Sequence, residues 1–127
     1  MRYLLDTCAL IWLGMGGGDL SATAKRRIGV ASSLHYSSIS AWEIARLQKE
    51  GKIVIPSDPA AFLADLSDMY GISAIPPNDD IMLRAAQLPD CHRDPADRII
   101  IATAISNGMA IVTGDSKFSQ YGVTTFC

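Results

Sequence analysis

Four acidic residues carry the chemistry expected of this chain. Asp6 follows the apolar run Tyr3-Leu4-Leu5, and Glu43 closes Ser40-Ala41-Trp42-Glu43. Asp97 precedes the apolar stretch Arg98-Ile99-Ile100-Ile101-Ala102-Thr103-Ala104-Ile105, and Asp115 follows Ile111-Val112-Thr113-Gly114. Each therefore stands at the rim of a core-forming element. Carboxylates gathered without countercharge repel and raise one another's pKa. A hard divalent cation, Mg²⁺ or Mn²⁺, relieves that repulsion, because it prefers carboxylate and water oxygens. A centre of this kind hydrolyses phosphodiesters by activating a water and stabilising charge on the phosphate. No protein nucleophile is then needed, and none stands out. His35 and His92 are the only histidines, and no Gly-x-Ser-x-Gly is present.

Local roles compete with this chemistry at each position. Asp94 before Pro95 has the pattern of a helix N-cap with proline in the first turn. Asp97 can serve simply as a favourable charge at that helix start. Ser40 and Glu43 have capping-box spacing, so Glu43 can be the return half of a cap. Asp115 after Gly114 is compatible with an ordinary turn. Asp6 is the hardest to explain away, since strands disfavour Asp and nothing there requires a cap.

Composition narrows the partners. The 127 residues fit one domain, 1–127, large enough to bury a core without disulfides. Net charge is −2, which argues against holding nucleic acid by phosphate neutralisation alone. Bound cations reverse the sign of an acidic site locally, so a metal-centred enzyme remains open. Cys8, Cys91 and Cys127 show no paired spacing and suit reduced thiols rather than zinc or disulfides. No apolar run approaches a membrane span, and residues 1–15 lack a leader's cleavage pattern. The expected setting is cytoplasmic, with no membrane partner.

The elements that must position the acids alternate between strand and helix. Strands are predicted at 2–5, 34–38, 72–75, 110–113 and 123–126. Helices are predicted at about 7–13, 22–31, 40–50, 60–70, from Asn78 or Asp79 to Leu88, and from the Asp94-Pro95 start to Gly108. The glycines of Gly14-Met15-Gly16-Gly17-Gly18 read as a flexible loop, with no Gly-Lys-Ser/Thr ending for a phosphate cradle. Lys25-Arg26-Arg27 fan around their helix and read as a solvated face. Short connections between these elements imply βα units and a parallel sheet covered on both faces. Ligands of such sheets bind beyond the carboxyl ends of the strands. Asp6 and Asp115 lie at two such ends.

Several stretches together resemble one family. They are Leu4-Leu5-Asp6-Thr7-Cys8-Ala9-Leu10-Ile11-Trp12, Ser38-Ile39-Ser40-Ala41-Trp42-Glu43-Ile44, Leu88-Pro89 with His92-Arg93-Asp94-Pro95-Ala96-Asp97-Arg98, and Ile111-Val112-Thr113-Gly114-Asp115. In order and spacing the chain resembles PIN-domain proteins, most of all the VapC-like ribonuclease toxins of bacterial toxin–antitoxin pairs. The resemblance implies an α/β/α sandwich around a mostly parallel sheet, Mg²⁺ or Mn²⁺ dependence and endoribonuclease activity. It implies that Asp6, Glu43, Asp97 and Asp115 are the catalytic, metal-binding acids. Asp6 and Asp97 would bind the main ion directly, and Glu43 and Asp115 through waters or at a second ion. Thr113 and Asp94 would support them by hydrogen bonds. Homodimers and a small cognate antitoxin are the implied partners, with RNA as substrate. Arg98 and Lys117 either touch substrate phosphate or form ordinary surface pairs. Two departures stand out: Cys8 where relatives often carry His, and Gly114 where they often carry Ala. Cys8 is expected to tune metal affinity or confer oxidation sensitivity. The alternatives are another phosphoryl-transfer enzyme, with Asp6 as nucleophile, and a non-catalytic interaction domain.

Overall fold

Tyr3 and Leu5 point to one side of a sheet and Leu4 to the other, as strand periodicity requires. The chain is layered around that alternation. A computed structural model describes residues 1–127. Strands Arg2–Leu5 (β1), Ser33–Ser37 (β2), Ser73–Ile75 (β3), Ala110–Val112 (β4) and Thr125–Phe126 (β5) form one sheet. Its order is β3-β2-β1-β4-β5 and every pairing is parallel. Six α-helices cover it: Thr7–Gly14 (α1), Ala22–Gly29 (α2), Ser38–Lys49 (α3), Pro59–Tyr70 (α4), Asp79–Gln87 (α5) and Pro95–Asn107 (α6). A 3₁₀ turn, Ser116–Tyr121, links β4 to β5. This is the three-layer α/β/α sandwich expected.

On one face Tyr3, Leu5 and Val112 pack with Leu10 of α1, Ile28 of α2, Ile44 of α3, and Phe62 and Leu66 of α4. On the other, Leu4 and Ile111 pack with Ile100, Ile101 and Ala104 of α6 and with Phe118. α6 has a second apolar side, where Ile99 and Ala102 meet Ile81 and Ala85 of α5. It is therefore buried between the sheet and α5, which explains its unbroken apolar run. Asp94 caps it, Pro95 occupies its first turn, and Gly108 ends it at φ 63°.

One element boundary differs in a way that matters. α3 begins at Ser38 rather than Ser40, because the Ser37 hydroxyl accepts the Ile39 N–H at 3.2 Å. Ser40 then lies inside the helix, and the Ser40–Glu43 capping box is not made. The last strand is also shorter than 123–126, because Gly122 terminates the 3₁₀ turn at φ 77°.

Candidate metal centre

Strand order places the centre. From β1 the chain builds outward through β2 and β3 on one side and through β4 and β5 on the other. The carboxyl ends of β1 and β4 thus flank the point where the winding reverses, where a crevice opens in sheets of this type. Asp6 and Asp115 come from those two ends. The Asp6 N–H bonds the Val112 carbonyl at 3.1 Å, so it still belongs to the sheet. Glu43 reaches the crevice from the second turn of α3 and Asp97 from the first turn of α6. All four acids line one cavity of about 390 Å³, with Thr7, Cys8, Trp12 and Asp94 among its other walls.

Asp6 caps α1, its Oδ1 accepting the Ala9 N–H at 2.8 Å. Its Oδ2 accepts from the Thr113 hydroxyl at 2.5 Å, and Thr113 Oγ1 accepts the Asp115 N–H at 3.0 Å. Thr7 donates to Glu43 Oε1 at 2.5 Å and lies 2.9 Å from Ser40 Oγ. With the Thr7 proton committed to Glu43, Ser40 is the donor to Thr7. A chain of hydroxyls therefore fixes this half of the centre. Both Asp6 oxygens already accept protein hydrogen bonds, which suits a positioned ligand better than a free nucleophile.

The other half is held by His92, which the motif reading passed over. Its Nε2 lies 2.9 Å from Asp115 Oδ2 and 3.0 Å from Asp97 Oδ2. Asp94 caps α6 through the Ala96 and Asp97 N–H groups, as expected. The available signal was the position of His92, two residues before that cap. Asp115 is itself the cap of the 3₁₀ turn, accepting the Lys117 N–H at 2.9 Å.

Arg98 was expected at substrate or in a surface pair; it does pair with exposed Asp90, at 3.5 Å, but its main role is another. Its guanidinium donates to the carbonyls of Ala85, Ala86, Leu88, Pro89 and His92. These are the end of α5 and the loop before α6, so Arg98 is a clamp. Lys117 is exposed and forms no ion pair.

Charge in the cavity is uncompensated. None of the four acids pairs with a lysine or arginine. Burial pushes the Asp6 carboxyl up to about 6, against the opposing bonds from Thr113 and Ala9. Burial, then the neighbouring Asp94 charge, pushes Asp97 up to about 7. Burial also raises Glu43. At Asp115 burial is outweighed by the Lys117 N–H and His92, and its carboxyl lies below the ordinary value. A set of carboxylates with no lysine or arginine partner fits a hard divalent cation. Burial, then the acids led by Asp6, pushes the Cys8 thiol up to about 11. Gly114 has a steric reason: a Cβ there would meet Trp12 Cη2 at 2.9 Å.

Fold and centre together define an α/β protein with an acidic site at the switch point of a parallel sheet. Residues 3–123 match the family model described as PIN domain. The chain belongs to the PIN-domain family. It is 31% identical over 119 residues to Ribonuclease VapC22 of Mycobacterium tuberculosis, covering 93% of this chain and 90% of that protein. Among solved structures, it resembles a toxin–antitoxin complex from Klebsiella pneumoniae, with TM-score 0.69, 22% identity, and 98% and 96% of the two chains covered. It also resembles VapBC2 from Rickettsia felis, solved bound to a DNA fragment from its promoter, with TM-score 0.71, 17% identity, and 99% and 98% covered. At these identities the two structures speak for the fold.

Proposed function

We propose that this protein is a metal-dependent endoribonuclease and the toxin of a toxin–antitoxin pair, its single PIN domain spanning 1–127. One observation carries the metal-dependent chemistry: four carboxylates from four separate segments converge on one cavity with no lysine or arginine to neutralise them. The name and identity of the mycobacterial relative support RNA as the substrate. Asp6 and Asp97 would hold Mg²⁺ or Mn²⁺ directly, with Glu43 and Asp115 acting through waters or at a second ion. When bound, the cation supplies an activated water and stabilises charge on the scissile phosphate. Ala9 N–H and the Thr113 hydroxyl orient Asp6, and the Thr7 hydroxyl orients Glu43.

The proposed partners are a small antitoxin and a second copy of the chain. The solved toxin–antitoxin complexes that the fold resembles support this reading. No helix is long and apolar enough to cross a membrane, and the proposed site of action is the cytoplasm. To test the activity, purified protein is incubated with total RNA and Mg²⁺ or Mn²⁺, and the new ends are mapped. Discrete internal cuts are expected, abolished by EDTA and reduced more than about 100-fold by Asp6→Asn, beyond what losing an outer partner costs. Undiminished cutting by a folded Asp6→Asn variant would refute the assignment.

A further inference from the structure

His92, Asp97 and Asp115 bring three ligand-type atoms within 4.8 Å of one another, which looks like a metal site containing histidine. The other ring nitrogen decides otherwise. A metal-bound imidazole ordinarily donates its second N–H to a carboxylate or carbonyl. Here Nδ1 faces a donor, the Asp94 N–H at 3.2 Å, and so acts as acceptor. The ring proton therefore sits on Nε2, leaving no lone pair there for a cation. We propose that His92 is a positioning residue: its Nε2–H holds the Asp115 carboxylate at a set place beside Asp97, whose Oδ2 lies 3.0 Å from the same nitrogen, and His92 itself is not a ligand. The inference rests on the proposed ribonuclease centre and assigns its spacing to a particular atom.

The ring is fixed on every side. His92 is 9% exposed and packs edge-on against Phe118, with ring centroids 5.8 Å apart. Its backbone N–H donates to the Tyr121 hydroxyl at 2.8 Å, and its carbonyl accepts from Arg98 at 3.0 Å. Tyr121 in turn donates to the Pro89 carbonyl at 2.7 Å. The two acids beside it belong to different elements, α6 and the 3₁₀ turn. Without the His92 donor, the Asp97 charge would drive Asp115 away. With it, a cation meets an assembled pair of ligands.

Three variants of the full chain separate a donor from a ligand. His92→Gln restores an N–H near the Nε2 position, whereas His92→Asn reaches only toward Nδ1 and His92→Phe has no donor. Mn²⁺ binding is read by electron paramagnetic resonance, alongside RNA cleavage and thermal unfolding. Nitrogen-15 spectra of the wild-type imidazole are recorded with and without Mg²⁺. Wild-type His92 is expected as the Nε2–H tautomer in both states. His92→Gln is expected to keep Mn²⁺ affinity within about threefold of wild type, while His92→Asn and His92→Phe lose about 10–100-fold. Loss of the Nε2–H signal on adding Mg²⁺, or equal losses in all three variants, would overturn the proposal in favour of a ligand. Wild-type affinity in His92→Asn and His92→Phe would overturn it while leaving the ribonuclease activity standing. Should a variant fail to fold, the wild-type tautomer decides: an Nδ1–H ring refutes the proposal and an Nε2–H ring supports it. A wild-type protein that neither binds Mn²⁺ nor cuts RNA overturns the proposed function and this inference together.

Discussion

Asp6 and Glu43 are held by hydroxyls in or next to regular elements, whereas Asp115 is held, beside Asp97, by an imidazole on a loop. In the first half, Thr7, Ser40 and Thr113 are all buried and each donates across elements that the core already fixes. In the second, the loop 89–94 has no secondary structure to set its path. It is fastened instead by the Arg98 clamp, the Tyr121 hydroxyl and the Asp94 cap. Acids of the first half inherit their positions from the sheet. Those of the second depend on a few polar contacts, and those contacts are where the centre is most easily disturbed.

Substitution separates the halves. Arg98→Met keeps the apolar stem and removes the donors to five carbonyls. It is expected to destabilise the chain by about 2–4 kcal/mol, since partly buried carbonyls are left unpaired. Denaturant titration gives the stability, and cleavage should fall with it as the loop loosens. Little change in either would mean that the loop holds itself. Thr7→Val is nearly isosteric and acts on the other half, leaving Glu43 and Ser40 without their shared hydroxyl. An expected cost of about 1–2 kcal/mol and about tenfold in Mn²⁺ affinity can be read by unfolding and by metal titration. A larger stability loss than Arg98→Met would reverse the ranking of the two halves.

A comparable effect follows from pH and should be strongest at Asp97. Asp6 and Asp97 bind protons more tightly in the folded chain than in the unfolded one, with carboxyls raised to about 6 and about 7. Raising the pH from about 4 through 7 strips protons that the folded state prefers to keep, so metal-free stability falls over that window. The expected change is about 1–2 kcal/mol, less than full conversion of the shifts because the cavity is open to solvent. Asp115, with its lowered carboxyl, contributes in the opposite sense and loses its stabilisation in more acid solution. Thermal melts of chelator-treated protein at pH 5 and pH 7.5 measure the sum, and Asp97→Asn should flatten the difference. Added Mg²⁺ should raise the melting temperature more at the higher pH, because protons compete for the ligands. An unchanged pH slope in Asp97→Asn would place the uncompensated charge elsewhere.

The same contrast explains what the sequence disclosed. Asp6 was legible because strands disfavour an acid at their end, but the expectation that no cap is needed there failed, since Asp6 also caps α1. The parallel sheet followed from alternating strand and helix patterns, and the Asp94 cap from its proline. Glu43 stayed ambiguous because Ser40 mimics a capping box, and only the true cap at Ser37 resolves it. The roles of His92 and Arg98 escaped the sequence for one reason. Their partners lie in loops and in the end of α5, and loop paths leave no periodic trace in a sequence. An imidazole with two carboxylates and a guanidinium with five carbonyls are tertiary facts.

Crystals grown with Mn²⁺ and examined by anomalous scattering test the centre most directly. The expected result is an anomalous peak inside the cavity, in contact with oxygens of Asp6 and Asp97 and lost in Asp97→Asn. An empty cavity at saturating Mn²⁺, or a peak confined to another part of the surface, would contradict a metal centre built from these four acids.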